Sequence, residues 1–351
     1  MNKKIVKIKD IYIGGEHPIA IQSMTNIPFN KFDELLEQSL KLQQAGCEIL
    51  RCAVPDMDSV RKFSRLHEKL DIPIVADIHF DYKMAIESIY AGADKIRINP
   101  GNIGKEHIKT VANEANSKKI PIRVGINGGS LEKEILQKYG HVTAEGLCES
   151  AENNVKLLEN NDFDNIVVSI KSSDVPMMIK AYKLYAEKSD YPLHLGVTEA
   201  GTLKSGLIKS SIGIGALLLD GIGETIRVSL ADDVTEEISA AKTLLSALNL
   251  RKFGLQVISC PTCGRTSINS IELAKKAEEK FTYIKKPIKL AIMGCVVNGI
   301  GEAGEAHLGV TGVNGEYIVF KYGKIIKKNI SENDIFNVIK TELDILETEI
   351  E

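Results

Sequence analysis

Three cysteines in the C-terminal third of the chain are spaced for metal chemistry. Cys260 and Cys263 lie in CPTCGR, which puts two thiolates on one turn, and Cys295 in MGCVVNG supplies a third. Glycines beside these residues allow the backbone to approach a bulky cofactor. A structural zinc site is closed by four protein ligands, whereas an iron–sulfur cluster can leave one iron with a weak or exchangeable ligand. Two residues could complete the set. Glu302, in NGIGEAG, offers a hard oxygen ligand to a 4Fe-4S cluster; His307 would instead complete a Cys3His zinc knuckle. The other cysteines read as small hydrophobes: Cys47 after a helix, Cys52 in a strand and Cys148 in a helix.

A second group of reactive side chains is cationic. Arg51, Arg97, Arg123, Lys171 and Arg227 each sit on or near the end of a short β-branched run, with His79, Asn99, Asn127 and Ser229 close behind. Asp77 and Glu199 are the obvious acidic partners. Burying an unpaired charge costs several kcal/mol. A bound polyanion resolves the imbalance, and arginine forks suit phosphate oxygens. The bland alternative turns some of these cations outward into structural ion pairs. Glu199, in GVTEAG, is a candidate general acid or base; otherwise it neutralises Lys171 or Arg227. His79 either donates to a substrate or is a packed histidine.

The elements that must position these groups repeat one pattern through the first 230 or so residues. An apolar run is followed by a polar or glycine-rich tip and then an amphipathic helix. The runs are 19–25, 48–54, 72–80, 95–101, 120–128, 165–172, 192–201 and 225–231. Apolar strands alternating with helices imply a parallel sheet buried on both faces, and eight such units predict a TIM (β/α)8 barrel. An open doubly wound sheet usually has fewer strands. Chemistry in a barrel sits at the C-terminal strand ends, where the cations cluster. In the first helix Asn30 is the expected cap, Leu35, Leu36 and Leu40 the apolar stripe, and Gly46 the stop. The last barrel helix begins near Asp232.

The pattern changes after Leu250. The expected division is a barrel over residues 1–250 and a smaller α+β domain over 251–351. The latter carries the cysteines, a helix through SINSIELAKKAEEKF, antiparallel strands with turns at VNGEYIV and KYGKII, and a terminal helix.

Composition sets the remaining bounds. With 351 residues, 44% hydrophobic and 26% charged, the chain can bury a full core. A net charge of −3 gives no case for nucleic acid. The N-terminal stretch lacks the apolar run of a signal peptide, and IGIGALLLDGIG is too short to span a bilayer. The expectation is a cytoplasmic protein without membrane partners, whose six cysteines serve metal or redox chemistry.

The motifs IQSMTN, KIRINPGNIG, PIRVGINGGSL, HLGVTEAG, CPTCGR and MGCVVNGIGEAG follow one another in this order over essentially the whole chain. Together they resemble the 4-hydroxy-3-methylbut-2-en-1-yl diphosphate synthases in their shorter bacterial form. The resemblance implies reductive opening of 2-C-methyl-D-erythritol 2,4-cyclodiphosphate in non-mevalonate isoprenoid synthesis, with electrons from flavodoxin or ferredoxin. It implies a 4Fe-4S cluster on Cys260, Cys263, Cys295 and Glu302. It also implies diphosphate contacts from Arg51, Arg97, Arg123, Lys171, Arg227 and Ser229, with Asn99 and Asn127 nearby, and an acid/base role for Glu199. Two competing readings remain at this stage: a TIM-barrel phosphate-ester lyase or aldolase with a zinc domain, and a non-catalytic iron–sulfur sensor of a phosphorylated metabolite. The linker RKFG reaches only about 13 Å when extended, roughly half a barrel's height. A homodimer in which each cluster domain caps its partner's barrel is therefore expected, and the resemblance implies the same.

Overall fold

A computed structural model describes residues 3–301 and 303–350. Two compact units divide the chain, residues 1–251 and 252–351.

The first unit is the expected barrel. Its strands are β1 (Ala20–Met24), β2 (Ile49–Ala53), β3 (Ile74–Asp77), β4 (Lys95–Ile98), β5 (Ile122–Asn127), β6 (Ile166–Lys171), β7 (His194–Leu195) and β8 (Thr225–Ile226). All pair in parallel, in the order β6-β5-β4-β3-β2-β1-β8-β7. A single bridge between Val168 and Leu193 joins β6 to β7 and closes the ring. The last two strands are much shorter than their apolar runs, because the chain leaves the ladder at Gly196 and Arg227 to build the mouth. Asp56, Asp81, Thr143, Asp174 and Asp233 each cap the helix that follows a mouth loop, accepting from its first-turn amides.

Two local expectations fail. A 3-10 turn, Phe29–Lys31, precedes the first helix, so Lys31 rather than Asn30 stands at the cap position. The helix then runs Phe32–Ala45 and buries Leu35, Ser39 and Leu42, a stripe rotated from the expected one. Gly46 ends it at φ 96°, as expected.

Side chains alternate along a strand, so every second residue enters the barrel. At the N-terminal end a hairpin of Val6–Ile8 and Ile11–Ile13 packs Val6, Ile8 and Ile13 against Ala20, Ile49, Val75 and Val167. Above this apolar floor the interior becomes polar.

The second unit holds a five-stranded sheet: β9 (Leu255–Ser259), β10 (Ile288–Ile292), β11 (Leu308–Val313), β12 (Glu316–Lys321) and β13 (Lys324–Ile330). The first three run parallel and the last two antiparallel. Helices Ser270–Lys280 and Glu332–Glu349 pack Leu273, Ala277, Ile335, Ile339 and Leu343 on Leu290, Ile292, Val310 and Val319. Both expected hairpin turns form, with positive φ at Asn314 and Gly315 and again at Tyr322 and Gly323. The exposed edge strand β13 carries Lys324, Lys327 and Lys328, which guard it against pairing with another chain.

Candidate active site

Sheet register gathers the cations. Arg51 pairs with Met24 on β1, and Arg97 lies between Asp77 and Arg123 on its two neighbouring strands. Arg97 donates from Nη1 to Asp77 Oδ1 at 3.2 Å and from Nη2 to the Gly125 carbonyl at 3.3 Å. A side chain at position 125 would collide with the Arg97 guanidinium, so glycine is required there. Arg51 lies 3.8 Å from Asp77 Oδ2 and otherwise directs Nε and Nη2 at the Met24 thioether, a weak acceptor. His79 Nε2 is 3.4 Å from Asp77 Oδ2, with its ring half exposed at the mouth.

Asp77 is thus the hub. Burial alone would raise its pKa, but Arg51, the His79 contact, Arg97 and Arg123 outweigh burial and hold the carboxyl far below the usual range. The cations carry the opposite imprint. Burial, reinforced by Arg227 and Arg97 and opposed by Asp77, brings Arg51 down to about 10. Burial and then Arg51, Arg227, Arg123 and Arg97 push Lys171 well below the ordinary lysine range. Arg123 is fully enclosed, and its Nε and Nη1 find no hydrogen-bond partner. Among the described residues no carboxylate lies within ion-pair distance of Arg123 or Lys171.

Arg227 has a partner that the sequence reading missed. Glu237, nearly fully buried, receives Nε and Nη2 of Arg227, each at 3.2 Å, together with Ser23 Oγ at 2.8 Å and the Leu230 amide at 3.2 Å. The signal was present: Glu237 lies on the buried stripe Val234, Ile238, Ala241, Leu245 of helix Val234–Ala247, where a charge needs a partner.

The other expected contacts sit at the same end in different circumstances. Asn99 uses its side-chain oxygen to cap the short helix Pro100–Ile103 through the Gly101 amide at 3.1 Å. Asn127 closes β5 in register with Lys171, and Ser229 is half buried just beyond β8. Glu199 follows β7 with φ at 51°, a left-handed conformation that costs a residue with a side chain about 1 kcal/mol or more. Such strain concentrates at functional sites. Its exposed carboxylate makes no hydrogen bond or ion pair among the described residues, so it is not the counter-ion of Lys171 or Arg227.

The cysteines occupy the C-terminal ends of two adjacent parallel strands. Cys260 follows β9, Cys295 follows β10, and Ser259 pairs with Ile292. The Gly294 amide donates to Cys260 Sγ at 3.2 Å, the kind of contact that stabilises a metal-bound thiolate. Cys263 donates its amide to Thr266 Oγ1 at 3.1 Å, and the Ser267 amide donates to the Gly294 carbonyl at 2.9 Å, knitting the two turns together. A Cβ at Gly294 would approach Thr266 Oγ1 to 2.8 Å, which explains the glycine. Cys295 is buried, Cys260 half buried and Cys263 exposed. This soft donor set suits iron and sulfide. No group of three or more potential ligands is assembled at metal-holding range among the described residues, and Glu302 lies outside them. His307 does not join the cysteines. It accepts from the Lys289 amide at 2.9 Å, at the start of β10 rather than its end, which removes the ground for a Cys3His knuckle.

A barrel with a cationic mouth, joined to a small α/β unit bearing three thiols, defines an enzyme that couples an anionic substrate to metal chemistry. Residues 3–242 match the GcpE TIM-barrel domain and residues 256–345 the GcpE protein C-terminal domain; the chain belongs to this family. It is 55% identical to a 4-hydroxy-3-methylbut-2-en-1-yl diphosphate synthase (flavodoxin) of Caldanaerobacter subterraneus, over 92% of this chain and 91% of that one. Synthases of the same name from Caldicellulosiruptor saccharolyticus and Clostridium acetobutylicum are 53% and 52% identical over 98% and 97% of both chains. Among solved structures, dihydropteroate synthase from Xanthomonas albilineans aligns with 70% of this chain and 99% of its own, with a TM-score of 0.50 and 13% identity, a likeness of fold alone. No helix among the described residues is long and apolar enough to cross a membrane.

Proposed function

We propose that this protein is an iron–sulfur oxidoreductase that reduces 2-C-methyl-D-erythritol 2,4-cyclodiphosphate to (E)-4-hydroxy-3-methylbut-2-enyl diphosphate, with two electrons and loss of water, in the non-mevalonate route to isoprenoids. Membership of the family carries this reading. The buried cations of the mouth support it, because a compact cyclic diphosphate supplies the negative charge that Asp77 and Glu237 leave wanting. Arg51, Arg97, Arg123, Lys171 and Arg227 bind and orient the diphosphate, with Ser229 and Asn127 at its edge. Asn99 acts by capping the loop after β4, and His79, beside Asp77, donates to the substrate from the open side. Glu199 moves a proton to the departing hydroxyl, free of the ion pairs that would hold its carboxylate elsewhere. When held by Cys260, Cys263, Cys295 and Glu302, a 4Fe-4S cluster supplies low-potential electrons that no barrel side chain can provide. Flavodoxin, which is part of the relatives' names, or ferredoxin is the electron donor.

The active form is a homodimer with composite sites. Arg251, the last residue of the barrel unit, is anchored at the N-terminal end of the barrel by the Ile19 carbonyl at 2.8 Å and by both carboxylate oxygens of Glu48. The chain therefore leaves the barrel far from its own mouth, which supports capping by a second copy. Mixing Glu199→Gln chains with Cys295→Ser chains restores activity if sites are composite; confirmed subunit exchange without recovery rules this out.

Anaerobic turnover with reduced donor and the cyclodiphosphate, with the product identified, tests the reaction itself. A cluster-loaded protein that releases no hydroxymethylbutenyl diphosphate overturns the proposal.

A further inference from the structure

Beneath the mouth lies a second polar layer that the reaction as described does not use. Lys95 enters the barrel from β4, two residues below Arg97, and is fully buried with no hydrogen-bond partner for Nζ. Its surroundings share the condition. Nε and Nη1 of Arg123, Nε2 of His194 and both amide atoms of Gln22 are also buried without partners. His194 engages Thr225 Oγ1 through Nδ1 at 2.8 Å, which leaves Nε2 facing the interior.

The charge count shows why this layer matters. Six cations enter the barrel: Arg51, Lys95, Arg97, Arg123, Lys171 and Arg227. Only Asp77 and Glu237 are ion-paired with any of them among the described residues. A diphosphate with two charges would still leave an excess. Arginines do not shed protons, but a buried lysine can. Burial, and then the like charges of Arg123 and Arg51, drive Lys95 well below its ordinary range.

We propose that Lys95 is a reserve cation of the anion site, uncharged while the barrel is empty and protonated when a diphosphate settles above it. The charged groups that act on it are Arg123 from β5 and Arg51 from β2, with the His194 ring from β7 close by; Val75 of β3 lies beside it in register, and Arg97 and Asp77 stand one inward position higher on β4 and β3. Strand β1 offers only Gln22, and the hairpin below offers Val6, Ile8 and Ile13. Both nearby charges are positive, so the empty site repels a proton from Lys95. A diphosphate at the mouth adds negative charge, weakens that repulsion without cancelling it, and draws a proton from solvent. Lys95 thus acts as a positioning residue, through the field it lends to Arg123, and it can do so only if the mouth is the diphosphate site. By linkage, binding must then weaken as pH rises.

The experiment is calorimetry of the cyclodiphosphate with the cluster-loaded, unreduced enzyme, in buffers of different ionisation enthalpy. The expected result is net proton uptake on binding. Lys95→Met and Lys95→Gln should lower that uptake and weaken affinity about tenfold, as for loss of one charge near an anion. Lys95→Met should also raise the melting temperature, because an apolar group replaces a buried amine without partners. A purely structural lysine predicts the reverse: a lower melting temperature and unchanged uptake. Wild-type binding without proton uptake, or variants that keep wild-type uptake and affinity, overturns the proposal. If Arg123→Ala binds the cyclodiphosphate as tightly as wild type, the assignment of the mouth falls instead.

Discussion

The barrel places its reactive groups on strands, whereas the small unit places its own on turns. Register fixes Arg97 between Asp77 and Arg123, and the Gly125 carbonyl and Asp77 hold its guanidinium. Cys260, Cys263 and Cys295 depend on a few local bonds, among them Gly294 to Cys260 and Ser267 to Gly294. The barrel stores unpaired charge in a rigid frame and so is complementary to an anion in advance. The cysteine turns rest on a small cluster of Ala291, Met293, Ala303, Ala306 and Phe320, so a bound cluster should add to their order.

That contrast predicts a ranking. The largest effect should follow Cys295→Ser: iron and sulfide content falls, and turnover drops below detection, while circular dichroism of the barrel is unchanged. Retained activity would show that the turns do not depend on their cluster. Next is Glu199→Gln, which should keep cluster and substrate affinity but lose at least about a hundredfold in kcat, the usual scale for a displaced acid or base. A rate close to wild type would return Glu199 to the surface.

The two ends of the Arg227–Glu237 pair should separate binding from folding. Arg227→Ala is expected to weaken substrate binding by about 2 kcal/mol or more, seen as a raised Kd. Glu237→Ala leaves a guanidinium nearly buried and unpaired, and should lower unfolding free energy by about 3 kcal/mol in denaturant titration. Equal effects on binding and stability in both variants would mean that the frame is less rigid than its register implies. The smallest effect belongs to His307→Asn, which should leave iron content unchanged. Loss of metal there would return His307 to the ligand set.

Period-two patterning made the barrel and its arginines legible, because an interior cation and an interior valine occupy the same alternating positions. The same pattern hid Lys95 and His194: each stands inside an apolar run already read as a strand, and only burial shows that their polar atoms lack partners. Glu237 escaped because its partner lies on another element, although its place on an apolar helix stripe was a clue. Asn30 misled because a 3-10 turn moves the helix start beyond it, a choice made by the packing of Phe29 rather than by capping propensity. Strands β7 and β8 take up only the first part of their apolar runs, because the later residues serve the mouth instead of the ladder.

The N-terminal hairpin has a consequence for traffic. Val6, Ile8 and Ile13 pack over the end of the barrel opposite the mouth, so that end is closed by apolar side chains and the polar mouth is the face left for a ligand. Water displaced by an arriving molecule must leave past it, and a spent molecule must depart before its successor can enter. A shortened hairpin would instead bare Ala20, Ile49, Val75 and Val167 to water and let solvent reach the layer that holds Lys95.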